Sequence, residues 1–284
     1  MTDVAARSDR GLVRERNEDR WLVRTYPGTT LLAVADGVGG EEGGEVASTA
    51  AIKALASAFV APSYRESSRS SLSVAVQAAN LAVLEASKDA HFPNAATTLV
   101  AAAVRGRQVA IANLGDSRGY LIRGTQVRQI TTDHSGDSAS SITRFVGDPR
   151  GVQPDIFIET LEPHDRLVLC SDGLTRHVTD AEIGAAAADP SANAADALVA
   201  LARSRGGEDN VTVVVYAAGR PVPRALLGTL ILVLLLLIAV AGALGALVTT
   251  PFAVPPSVSP STAPSRSVSP SPSPSTVPAP SATP

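Results

Sequence analysis

Leu31-Leu32-Ala33-Val34-Ala35-Asp36-Gly37-Val38-Gly39-Gly40 is the stretch from which the chain is best read. An apolar strand runs straight into a carboxylate, and the glycines behind it let backbone approach closely. Similar short runs are predicted as strands at Trp21–Thr25, Thr30–Ala35, Thr98–Arg105, Val109–Leu114, Gly119–Arg123, Arg166–Cys170 and Val211–Ala217. The turn signals Arg105-Gly106-Arg107 and Arg123-Gly124-Thr125 join neighbours as antiparallel hairpins. Helical patterns are predicted at Glu45–Phe59, Ser71–Ala90, Asp180–Ala188 and Ala192–Arg203, with Asp180 and Ser191 as N-caps. In the second of them Leu72, Val76, Ala79 and Val83 share a face. Helices grouped between runs of antiparallel strands predict an α+β layered sandwich, not a doubly wound parallel sheet.

Beyond this domain the composition changes. Ala225–Val248 carries no charged residue; as a helix it would be about 36 Å long, enough to span a ~30 Å hydrocarbon core with some tilt. Arg220 and Arg224 precede it, and the next basic residue is Arg266, so the positive-inside rule predicts a cytoplasmic N-terminal part. The Pro/Ser-rich stretch that follows cannot bury a core and is expected to be extended and extracytoplasmic. The predicted organisation is therefore a cytoplasmic domain over 1–218, a basic juxtamembrane linker over 219–224, one transmembrane helix over 225–248 and a tail over 249–284. Met1–Arg20 has no apolar core of a secretory signal. A net charge of −3 and the absence of a basic stripe with interleaved aromatics argue against nucleic acid as a partner. The single cysteine, Cys170, excludes an intramolecular disulfide and a multi-cysteine metal cluster.

The acids fall at strand ends. Glu18-Asp19 stands before the first predicted strand, Asp36 after the second, and Asp116 follows Val109–Leu114. Asp172-Gly173 follows Arg166–Cys170, and Asp209-Asn210 precedes the last strand. Any one of them reads equally well as a turn former or a helix cap. As a set of hard oxygen donors on separate strand ends they suit Mg²⁺ or Mn²⁺.

Their order carries a resemblance. Arg14…Glu18-Asp19, Ala35-Asp36-Gly37-Val38-Gly39-Gly40, Thr97-Thr98, Gly115-Asp116-Ser117-Arg118, Ser171-Asp172-Gly173-Leu174 and Asp209-Asn210-Val211-Thr212 are similar to the motifs of type 2C (PPM-type) metal-dependent protein phosphatases. The connecting text Ser8–Arg14 and Gly44–Ser48 is also alike, and the likeness covers about residues 5–217. With one span and a Pro-rich tail, the chain resembles bacterial membrane phosphatases that oppose serine/threonine kinases.

The resemblance implies a four-layer α-β-β-α sandwich and two Mn²⁺ or Mg²⁺ ions per site, with a weak third. It implies that Asp36 bridges both ions and that the Gly37 carbonyl serves one. Asp172 and Asp209 complete the other, and Glu18 and Asp19 act through bound water. Asp116 and Asp172 contribute to the third site, which is weak unless Asp137 substitutes for a missing flap ligand. Arg14 holds the phosphoryl group, as a permanently charged bidentate guanidinium can. The implied chemistry is direct hydrolysis of phosphoserine and phosphothreonine by a metal-activated water, with phosphorylated proteins as substrates and a membrane kinase as the opposing partner.

Three positions depart from the family pattern: Val38 stands where many members have a histidine, Ala96 where a glycine precedes the Thr pair, and the segment between Asp133-His134-Ser135 and Ile142-Thr143-Arg144 is short. Two alternatives stay open. One is a pseudophosphatase that binds phosphoproteins. The other is a cysteine mechanism on Cys170-x5-Arg176, against which stand Asp172 inside the loop and the apolar strand around Cys170.

Overall fold

The computed structural model describes residues 3–38, 43–61, 68–88, 94–136, 141–188, 193–219 and 237–241. The chain divides into two compact units, Met1–Val222 and Pro223–Pro284. The first contains β1 (Asp3–Asp9), β2 (Arg20–Tyr26), β3 (Thr29–Ala35), β4 (Gly37–Val38), α1 (Gly43–Ala58), α2 (Ser68–Ala86), β5 (Ala96–Thr97), β6 (Leu99–Arg105) and β7 (Gln108–Leu114). It continues with β8 (Arg118–Arg123), β9 (Gln126–Gln129), β10 (Asp155–Thr160), β11 (Arg166–Cys170), α3 (Asp172–Thr175), α4 (Asp180–Ala188), α5 (Ala194–Ser204) and β12 (Val211–Ala217).

Two five-stranded antiparallel sheets form, in the orders β1-β12-β11-β8-β9 and β10-β7-β6-β3-β2, beside a small β4–β5 ribbon. Strand alternation builds the layers. Leu31, Ala33 and Ala35 of β3 pack with α1 and α2, while Leu32 and Val34 face Leu167, Leu169 and Val214 of the other sheet. Val168, Cys170, Val213 and Val215 turn the opposite way, onto Leu174, Ile183, Leu198 and Val199 of α3, α4 and α5. Three apolar interfaces thus separate four layers, as the resemblance implies. Apolar runs such as Leu31–Ala35 are continuous because both of their faces are covered.

The hairpins at Gly106 and Gly124 form as read, each glycine at φ +59°. Several boundaries differ from expectation. The run Thr98–Arg105 is divided: Thr97 pairs with Gly37 in the small ribbon, and β6 begins only at Leu99. Thr98 is used instead to clamp Asp36, as described below. The helix expected over Ser71–Ala90 runs from Ser68 to Ala86. The cap of α4 is Thr179, not Asp180: its N–H and hydroxyl both donate to Glu182 Oε2, at 3.0 and 2.8 Å, in a capping-box arrangement. Asp180 instead accepts the Tyr120 hydroxyl at 3.0 Å. Asn193 precedes α5, and Ser191 lies outside the described residues.

Of the expected span over 225–248, the structure describes only Leu237–Ala241, which is helical and exposed; the linker from 220, the rest of the span and the tail lie outside the described residues. Among the described residues no helix is long and apolar enough to cross a membrane.

Candidate active site

The acids named from the sequence gather at one end of the two sheets, supported by backbone, by buried polar neighbours or by two half-exposed arginines. Asp36 follows β3, and its main chain is clamped by the Thr pair. Its N–H donates to Thr98 Oγ1 (3.1 Å), and its carbonyl accepts from the Thr98 N–H (2.8 Å) and the Thr97 hydroxyl (2.8 Å). Thr98 Oγ1 is also 2.7 Å from Ser117 Oγ, which ties this clamp to the turn bearing Asp116. At Gly37 a Cβ would stand 2.2 Å from the Gly44 carbonyl oxygen and 2.8 Å from that of Glu18, so only glycine fits.

Asn210 organises the segment that carries Arg14, Glu18 and Asp19. Its Oδ1 accepts the Glu18 N–H (2.8 Å), and its Nδ2 donates to the carbonyls of Arg10 (2.9 Å) and Arg16 (2.8 Å). Asp19 is buried and accepts the Ser171 hydroxyl at 2.7 Å, and Ser171 Oγ in turn accepts the Thr212 N–H at 2.9 Å. Asp172 opens α3 and is gripped by Arg176. Arg14 is half exposed and forks onto Asp209, with Nε–Oδ1 and Nη2–Oδ2 both at 2.9 Å.

Asp116 follows Gly115, which sits at φ +109° against Thr98. His134 pins that glycine twice: Nδ1 accepts its N–H (3.1 Å), and the His134 N–H donates to its carbonyl (3.0 Å). On its other side the ring's Nε2 lies 3.0 Å from Asp155 Oδ2 and 2.8 Å from Arg144 Nη1. The shortened segment starts here, with Ser135 bridged to Ile142; residues 137–140, Asp137 among them, lie outside the described residues. Asp116, Asp172 and Arg176 line a cavity of about 410 Å³ together with Arg118, Asp133, Ser135 and Thr175.

The electrostatics show that the acids share one field. Burial, then the charges of Asp19, Asp172, Asp209 and Asp116, hold the Asp36 carboxyl well above the ordinary carboxylate range. Burial likewise pushes Asp19 up to about 6, against the hydrogen bonds from Ser171 and Thr212. Asp116 is raised to about 6 by burial and by Asp172. Glu18 is raised, by burial first.

The protein phosphatase 2C family pattern matches residues 12–206. This chain belongs to that family. The serine/threonine protein phosphatase PstP of Mycobacterium tuberculosis H37Rv is 38% identical over 231 residues, covering 74% of this chain and 44% of that protein. The chain thus spans less than half the length of that relative. The serine/threonine phosphatase stp of Listeria innocua is 36% identical over 232 residues, covering 73% of this chain and 92% of that one. The crystal structure of the PstP catalytic domain in complex with two manganese ions superposes with a TM-score of 0.67 at 38% identity, covering 76% of this chain and 97% of that one.

Several features of this 2C phosphatase domain fit a cation centre. Glu18 Oε1, Asp19 Oδ1 and Asp116 Oδ1 are buried and have no hydrogen-bond partner. A buried carboxylate oxygen without a partner is costly, and hard cations accept such oxygens readily. Among the described residues no three His, Cys, Asp or Glu side chains already close on one cation-sized point. Arg176 and Arg14 instead engage Asp172 and Asp209.

A pH dependence follows. Asp19 binds a proton more tightly in the fold than in the unfolded chain, so the fold carries the extra proton between about pH 4 and pH 6. Stability of the metal-free protein should therefore fall as pH rises through that window, by on the order of 3 kcal/mol for Asp19 alone. Thermal melts from pH 4 to pH 7 in chelator check this, and saturating Mn²⁺ should remove the fall. A flat or rising profile in chelator would contradict it.

The sequence pointed to the acids that gather here, Asp137 aside, but not to their supports. Asn210 and Ser171 stood inside quoted motifs without an assigned role. His134 marked only the start of the shortened segment. Arg176 appeared only as the end of Cys170-x5-Arg176.

Proposed function

We propose that the chain hydrolyses phosphoserine and phosphothreonine in proteins, using Mn²⁺ or Mg²⁺. The observation that carries this reading is the convergence of Asp36, Asp19, Asp172, Asp209 and Asp116 on one field, with buried carboxylate oxygens left unpartnered beside an exposed arginine. Asp36, with the Gly37 carbonyl, Asp172 and Asp209, would hold two cations; Glu18 and Asp19 would support them through water, and Asp116 would lend an oxygen to a weaker third. Bound there, the cations supply an activated water and neutralise charge at phosphorus.

The chain's own residues do the rest. Thr97 and Thr98 fix the direction of Asp36 through its backbone, so its carboxylate keeps its place whatever binds. Asn210 sets the loop that presents Arg14 at the mouth of the site, where the guanidinium can fork onto two phosphoryl oxygens. Ser171 keeps one Asp19 oxygen occupied and leaves the other for the site. Cys170 takes no part: it is fully buried, and burial pushes its thiol up to about 12, so no thiolate forms near neutral pH.

Phosphate release from a phosphothreonine peptide by the purified full-length chain tests the reading. Activity with Mn²⁺, loss in excess chelator and survival in Cys170→Ala are expected; full activity in chelator would end it. Arg14→Ala should lower kcat/KM by about 10–100-fold, as loss of a charged hydrogen bond worth ~1.5–3 kcal/mol does. An unchanged value would remove Arg14 from the phosphate site.

The reading includes a membrane anchor over 225–248, with the catalytic unit cytoplasmic and the tail outside, opposing a membrane serine/threonine kinase. It is supported by the uncharged 24-residue run and by the basic residues on one side of it. Reporter fusions should behave as cytoplasmic at the N-terminus and as exported after Thr250. The reverse pattern would separate the enzyme from its phosphoproteins.

A further inference from the structure

Arg176 is the basic residue of the unused Cys170-x5-Arg176 motif, and it reaches the acidic cluster directly. Its Nε donates to Asp172 Oδ2 at 2.9 Å, Nη2 reaches the same oxygen, and Nη1 is 3.5 Å from Asp209 Oδ2. Arg14 occupies that same Asp209 with both of its own bonds. Two guanidinium groups from distant parts of the chain therefore meet at a single carboxylate. Their side chains are 49% and 45% exposed, so both stand at the mouth of the site, where a substrate would arrive. Arg176 also lines the cavity with Asp116 and Asp172.

We propose that Arg176 is a second phosphoryl-binding residue, working with Arg14 from the other side of Asp209. The inference rests on the phosphatase reading above. A phosphate monoester dianion presents three terminal oxygens, and one planar fork satisfies only two. A second fork a few ångströms away takes the third and adds charge where it is needed. The root of Arg176 is fixed, since its N–H donates to the Asp172 carbonyl at 2.9 Å, while its side chain is half-exposed and held only by the two carboxylates. Arg176 uses only Oδ2 of Asp172, which leaves Oδ1 for a cation. A cation there draws on the same carboxylate charge, weakens its hold on the guanidinium and favours the turn of Arg176 toward the incoming phosphate. Occupied by a cation, the site gains its second phosphate arm; without one, Arg176 stays on Asp172.

The test uses the full-length chain as wild type, Arg176→Ala, Arg176→Lys and Arg14→Ala. Inorganic phosphate is the competitive inhibitor of phosphopeptide hydrolysis, and calorimetry follows both Mn²⁺ and inorganic phosphate. Arg176→Ala should raise Ki for phosphate and KM for the peptide about 10-fold, with Arg176→Lys recovering part of the loss. Mn²⁺ affinity should stay level or tighten, because a competing cation has gone. An unchanged Ki overturns the proposal. So does a raised Ki with an equal loss of Mn²⁺ affinity, which would make Arg176 a mere brace for Asp172. Should Arg176→Ala unfold, Arg176→Gln keeps the stem and carries the same comparison. A wild type that binds Mn²⁺ but shows no metal-dependent activity would defeat the phosphatase reading instead, while phosphate calorimetry on the Mn²⁺-loaded protein would still report on Arg176.

Discussion

Asp36→Asn is expected to abolish Mn²⁺-dependent hydrolysis of a phosphothreonine peptide while making the metal-free protein more stable. The two effects share one cause. The Asp36 carboxyl is buried amid Asp19, Asp172, Asp209 and Asp116, and its ionised form is opposed by all of them. An amide of the same shape removes that repulsion, and it removes the charge that would hold two cations. The backbone clamp from Thr97 and Thr98 does not involve the side chain, so the loop keeps its course. Activity should drop by about 10³-fold or more, a loss of ~4 kcal/mol of transition-state stabilisation. The melting temperature in chelator at pH 7 should rise by a few degrees, roughly 2–4 °C per kcal/mol for a domain this size. Retained turnover would remove Asp36 from the centre. A lower melting temperature would mean that its carboxylate accepts stabilising bonds the amide cannot replace.

Gly173→Ala should be strongly damaging for so small a substitution. A Cβ there would lie 2.0 Å from the Asn210 carbonyl oxygen and 3.4 Å from the Asp209 Cβ. The obstacle is backbone, so no rotamer change relieves it. Moving Asn210 would disturb its grip on Arg10, Arg16 and Glu18 and hence the placement of Arg14. A loss of about 3 kcal/mol or more is expected, near the upper end for overpacking. Denaturant melts should show it, together with weaker phosphate inhibition as Arg14 shifts. Gly43→Ala is the control: its nearest neighbour would be 3.8 Å away, and it opens a helix. Equal stability of the two variants would refute the packing argument.

The sequence revealed the central strands and the acids for the same reason. β3, β6, β7, β11 and β12 are covered on both faces and therefore read as unbroken apolar runs, and the acids stand where those runs stop. Three of the four edge strands were harder to see: β1, β9 and β10, whose mixed sequences DVAARSD, QVRQ and DIFIET do not need two apolar faces, whereas β2, also at an edge, was read as Trp21–Thr25. The supports of the site were hidden differently. That Asn210 holds a loop 200 residues earlier in the chain, or that His134 pins Gly115, follows from where strands bring the chain back, and no local pattern encodes it. Arg14 and Arg176 were visible as residues, but their meeting at Asp209 was not.

The strand at the start of the chain bonds only to the one that ends the domain, β1 with β12, with Asp9 opposite Val211 and Ser8 Oγ 2.7 Å from Thr212 Oγ1. During synthesis Asp3–Asp9 consequently waits unpaired until nearly the whole domain has left the ribosome, the slow, long-range closure that raises folding times. Arg14 and Glu18 wait with it, because the side chain that orders their segment is Asn210. On the proposed function, a chain that stops short of Asn210 lacks the side chain that orders the segment bearing Arg14. On the proposed topology the next stretch to emerge is the apolar run at 225–248, so the enzyme acquires its activity at about the moment it is delivered to the bilayer, and a free, active precursor would scarcely exist.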